Sequence, residues 1–85
     1  NEFKKLVEEV FNIGQNLISA YELNELKTIE ISKFTMVNYW NLLDENQIKY
    51  DNLYLEHDQI VLLTQDLALQ LREKIIQLVT IIQNQ

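Results

Sequence analysis

The chain lacks proline and cysteine altogether and has one glycine, Gly14, in 85 residues. Without cysteine there can be no disulfides and no thiolate metal sites, and the redox compartment leaves no trace. Without proline, and with a single glycine, helix breakers are nearly absent, which points to long helices joined by short polar turns. One glycine is too few for a glycine-rich phosphate loop.

Histidine is equally scarce. His57 stands alone, and neither Glu56, Asp58 nor Tyr54 completes a metal ligand set around it. The sequence has no HExxH motif and no EF-hand loop. Ser19 and Ser32 lack the glycine elbow of a nucleophilic serine. Carboxylate pairs such as Glu22 with Glu25 recur in any acidic helical protein. The expectation is therefore a non-enzymatic protein with no catalytic residue, metal or cofactor. His57 is expected near the start of the last helix.

Long hydrophobic runs are missing too. The longest, Ile60 to Leu63, is far too short for a membrane span, and no signal-peptide core is present. Basic residues are outnumbered seven to thirteen, for a net charge of −6. That is the wrong sign for binding a phosphate backbone, so nucleic acid is not expected as a direct partner. The acids occur singly or in pairs, as on solvated helix faces. An intracellular location is expected from the cysteine-free composition, and a start at Asn1 suits a piece of a longer chain. The plentiful asparagine, isoleucine and lysine match AT-rich coding and carry no functional signal.

What is present is hydrophobic content, 47% of the chain, arranged with helical periodicity. Phe3, Leu6, Val7, Val10, Gly14, Leu17, Ile18 and Tyr21 recur at three- and four-residue intervals and predict a first helix over about 2–26. Gly14 lies inside this stripe at a cost of up to about 1 kcal/mol in helix propensity. Two readings stay open there: a close helix crossing, or a tolerated imperfection.

The segment 28–57 is less regular. Thr28-Ile29-Glu30-Ile31 alternates like a strand, and Tyr50 to Leu55 has β-prone composition, so a helix–β-hairpin–helix α+β fold is the alternative. Asp44 to Gln47 contains no glycine for a tight hairpin turn. Phe34, Val37, Trp40 and Leu43 instead predict a short second helix over about 33–43. Trp40 suits either a partner anchor or a core position sealing the bundle end. A third helix is predicted from 58, with Asp58 as its cap, or from 48, through 84. The expected fold is all-α: a small antiparallel bundle forming a single domain over 1–85, completed by oligomerisation or a partner.

The last helix is apolar on two faces. Ile60, Leu63, Leu67, Leu71, Ile75, Leu78 and Ile82 form the face expected to meet the first helix. On the other side Ile48, Leu55, Leu62, Leu69 and Ile76 follow one another at strict seven-residue spacing. The short second helix covers only about 16 Å, too little to mask that row. These five residues and Trp40 are the candidate partner interface. The partner is a second copy or another helical protein, in a homodimer or a larger helical assembly. The competing expectation is a compact monomeric regulator, of the immunity-protein kind, that masks a target protein.

Tyr21 with Glu25, and Tyr54 with Asp58, match the four-residue spacing of the export signal in WXG-type helical hairpins. Trp40, however, is followed by Asn41-Leu42 where those proteins have any residue and then glycine, and no family membership follows.

Overall fold

A computed structural model describes residues 1–41 and 43–85. It contains two long α-helices, α1 (Glu2–Asn38) and α2 (Glu45–Gln83), and no strand among the described residues. The all-α expectation is met, and the α+β alternative is excluded for the described residues. Among the described residues there is no separate short helix: 27–34 continues α1 without interruption, 33–38 of the predicted 33–43 helix are its last residues, 39–41 and 43 lie beyond its end, and Leu42 lies outside the described residues. The third helix starts earlier than Asp58, so that residue caps nothing.

The two helices pair antiparallel. Lys27 of α1 bonds Glu56 of α2, and Lys74 Nζ near the end of α2 lies 2.9 Å from Glu9 Oε2 near the start of α1. The hairpin measures 64 × 16 × 14 Å. With nothing but each other to pack against, the helices bury a single seam.

That seam obeys a heptad rule. On α1 the inward residues are Leu6, Val10, Ile13, Leu17, Ala20, Asn24, Lys27, Ile31, Phe34 and Asn38, stepping alternately by four and three. On α2 they are Asn46, Tyr50, Leu53, His57, Ile60, Thr64, Leu67, Leu71, Lys74, Leu78 and Ile81, with the same alternation. Such 3-4 spacing, 3.5 residues per turn on average, keeps one narrow stripe facing a single partner helix, as in a two-stranded coiled coil. Glu9, Gly14, Thr35 and Val61 flank it and are half-buried.

The predicted stripes are therefore rotated against the real seam. Leu6, Val10, Leu17, Ile60, Leu67, Leu71 and Leu78 do point inward. Val7, Ile18, Tyr21, Leu63, Ile75 and Ile82 are exposed, and their places are taken by Ala20, Asn24 and Ile31 on α1 and by Leu53, His57 and Thr64 on α2. The apolar surface of each helix is wider than one neighbouring helix can cover.

The core is correspondingly thin. Leu6, Ala20, Ile31, Leu53 and Leu67 are its buried apolar residues, with Thr64 the buried polar one. Thr64 satisfies its hydroxyl by donating to the Ile60 carbonyl one turn back, at 2.9 Å. The chain exposes 6679 Å². A compact monomer of 10.2 kDa exposes only about 5,300 Å².

The ends and turn use local polar groups. The Asn1 side chain accepts from Lys4 N at 2.8 Å and caps α1. At the turn, Asn46 Nδ2 donates to the Asn41 carbonyl at 2.8 Å. Asp44 precedes α2 with φ 52° and makes no side-chain capping bond.

Candidate interaction surface

In heptad terms, positions a and d form the seam, e and g border it on either side, and b, c and f look outward. In an antiparallel pair, e positions of both helices share one broad side of the hairpin and g positions share the other. The grooves show this directly. Asn16, Leu23 and Leu63 line one on the g side, while Thr28 and Tyr54 line another on the e side.

The row Ile48, Leu55, Leu62, Leu69 and Ile76 occupies successive f positions of α2. These five side chains are 53–64% exposed and lie on the far side of α2 from α1. Starting α2 at Glu45 places Ile48 and Leu55 on the same helix as the other three. No described residue of the hairpin covers the row.

Trp40 lies elsewhere. It follows the end of α1 at the hairpin tip, 93% exposed, with its ring edge-on to Tyr39 at a centroid distance of 4.8 Å. The expectation of a core tryptophan sealing the bundle is corrected: Trp40 is exposed, and the described residues form no third helix for it to seal. Met36, Val37 and Leu43 are strongly exposed beside it in sequence. The tip and the f row are separate surfaces, so the six candidate residues do not form one site.

Polar groups hold the pair in register. His57 lies within α2, well past its start, and its Nε2 is 3.1 Å from Asn24 Oδ1 across the seam. The Lys27 ammonium bridges Glu30, at 3.0 Å, and Glu56 on the opposite helix. The hydrogen bond to Glu56, then that to Glu30, raise the Lys27 pKa above its ordinary value. Near the turn the Tyr50 ring packs tilted between those of Phe34 and Tyr54, at centroid distances of 6.4 and 4.8 Å. A hydrogen bond with Tyr54, reinforced by burial, raises the Tyr50 pKa. Sequence reasoning missed these seam groups. The signal was there, since Asn24, Lys27, His57 and Lys74 fit the 3-4 ladder once polar residues are admitted to it.

Among the described residues, no cluster of three or more histidine, cysteine or carboxylate side chains is placed to hold a metal ion. Among the described residues no helix is long and apolar enough to cross a membrane. The grooves are shallow furrows beside the seam or at the turn, and none gathers a nucleophile, a base and an anion-stabilising donor. No family model, curated protein or solved structure matches the chain.

Proposed function

We propose that this hairpin is a non-enzymatic helical interaction module that docks into a larger helical assembly through the outer face of α2. The observation that carries this reading is the f-position row from Ile48 to Ile76. Five large aliphatic side chains stand in line along one helix, all more than half exposed. Exposed leucines scattered singly need no explanation, but an unbroken heptad row offers knobs for the holes of another helix. The polar residues along α2 support it, because glutamine and threonine outnumber charges from 59 to 85 and lose less on desolvation.

The regulator reading keeps one supporting observation, the exposed Trp40 at the tip, since tryptophan is enriched among binding anchors. The 64 Å length and thin core favour a subunit over a compact free-standing inhibitor.

The test is the size of the particle that carries a tagged chain in its native cell. The reading predicts a complex larger than a pair of these chains, released by Leu62→Glu/Leu69→Glu with helix content unchanged. A wild-type chain free of such a complex, or a double variant that still migrates in it, would overturn the reading.

A further inference from the structure

The e side of the hairpin has a property that neither the seam nor the g side shares. Its positions are Val7, Gly14, Tyr21, Thr28 and Thr35 on α1, and Gln47, Tyr54, Val61, Ala68, Ile75 and Ile82 on α2. None carries a charge, in a chain of net charge −6. The g side is different, with Glu9, Glu30, Lys49 and Glu56.

The register places these residues in rungs. Thr28 and Tyr54 line one groove. Stepping by heptads towards the open end puts Tyr21 across from Val61, then Gly14 across from Ala68, then Val7 across from Ile75. The Glu9–Lys74 pair holds that register to the open end. The open half is thus an apolar ladder with its smallest rung, Gly14/Ala68, in the middle. Phe11, Ile18 and Val79 widen it from adjoining b positions and are all exposed.

Gly14 is not explained by the hairpin. A Cβ added there would meet nothing within 4 Å, so α2 does not cross close to it. A mid-helix glycine costs up to about 1 kcal/mol relative to alanine. The room it leaves opens onto the e side.

We infer that the open half of the e side pairs with the same surface of a second copy, related by a two-fold axis through the Gly14/Ala68 rung and perpendicular to the helices. In this four-helix arrangement α1 lies antiparallel on α1 and α2 antiparallel on α2, with small residues where the copies approach most closely. This interface is separate from the f row, which stays outside it.

Three observations select a second copy. First, two acidic chains repel each other least across a face without charge, and of the two broad faces of the hairpin this is the one that has none. Secondly, one rim charge of each copy meets its opposite in the other. The b positions bordering the open half carry Lys4 and Arg72, whereas those of the loop half carry Glu25, Asp51 and Asp58. Rotation about the level of residue 14 brings Lys4 to the level of residue 24 in the other copy, beside Glu25, twice by symmetry. Aligning the copies in parallel, with α1 over α2, sets Glu25 level with Asp58 instead, a like-charge contact. Thirdly, the areas agree. The overlap spans about 25 residues of α1, roughly 36 Å, on a face 16 Å wide. That is near 600 Å² per copy, the lower edge of the roughly 1,200–2,000 Å² total of stable interfaces. The chain's excess of about 1,400 Å² over a compact monomer is more than enough to supply it.

Sedimentation equilibrium of the purified chain at micromolar concentration tests this. The wild type is expected at twice 10.2 kDa. Gly14→Gln/Ala68→Gln, which adds bulk without charge where there is open space, is expected at the mass of one chain with helix content equal or higher. Lys4→Glu is expected to weaken the dimer at least tenfold, and Lys4→Glu/Glu25→Lys to restore it. Leu62→Glu/Leu69→Glu is expected to remain dimeric. A monomeric wild type, a Gly14→Gln/Ala68→Gln variant that stays dimeric, or a charge swap without rescue would overturn the inference. The native-cell complex that tests the f row is a separate readout, so either idea can fail alone.

Discussion

Asn24 and His57 meet across the seam, Oδ1 to Nε2 at 3.1 Å, each one seam position from a buried residue of its own helix, Ala20 on α1 and Leu53 on α2. A polar pair inside an apolar ladder stabilises less than leucine in both places, but it is satisfied at one helix alignment only. Asn24→Ala is expected to cost about 1 kcal/mol, because His57 loses its partner while half-buried. Asn24→Leu/His57→Leu is expected to raise Tm and to add a second helix alignment. Urea melts report the first effect, and spin-label distances between α1 and α2 the second.

Leu67 and Leu69 differ by two positions and face opposite ways. Leu67 is buried at a seam position, and Leu69 is 58% exposed in the f row. Leu67→Ala is expected to destabilise by about 2–3 kcal/mol. Leu69→Ala in dilute purified protein is expected to change stability by less than about 0.5 kcal/mol. Equal costs in chemical denaturation would show that the assigned seam is wrong.

Lys27 and Tyr50 make the fold sensitive to alkali. Both pKa values are raised, Lys27 chiefly by its bond to Glu56 and Tyr50 chiefly by its bond with Tyr54. A raised lysine pKa gives stability that is whole below the unfolded value of 10.5 and is lost as pH climbs through the folded one. A raised tyrosine pKa acts in the same direction above 10.0, because the fold favours the neutral phenol. The urea midpoint is therefore expected to fall above about pH 10, and to fall less steeply in Lys27→Gln. A midpoint that is flat or rising there would contradict these assignments.

The sequence revealed some of this and concealed the rest for physical reasons. Helix content was legible from the missing proline and glycine, and the f row from its strict spacing. The continuity of α1 was hidden because the apolar pattern fades at Tyr21, where the seam passes to Asn24 and Lys27. Those residues are recognisable as inward only beside His57 and Glu56, which lie some 30 positions away. Ile29 and Ile31 mimicked a strand, although one is exposed and the other buried on the same helix. The phase of the stripes was misread because both helices carry apolar e positions that the partner helix leaves uncovered.

Asp44 holds φ 52° just before α2 and makes no capping bond with its side chain. A positive φ combined with ψ −119° costs a non-glycine residue on the order of 1–3 kcal/mol, part of which glycine returns through its greater freedom when unfolded. Asp44→Gly is expected to stabilise the hairpin by about 0.5 kcal/mol, measured by thermal melting. A clear loss of stability would mean that the carboxylate acts on the start of α2.

The most direct test of the central claim, that the row from Ile48 to Ile76 faces away from the hairpin's own core, is far-UV circular dichroism during thermal melting of Leu62→Glu/Leu69→Glu. The protein should be dilute. The account predicts wild-type helix content and a Tm within a few degrees of wild type. A double variant that is unfolded, or that has lost most of its helix, would place those leucines in an internal core and contradict it.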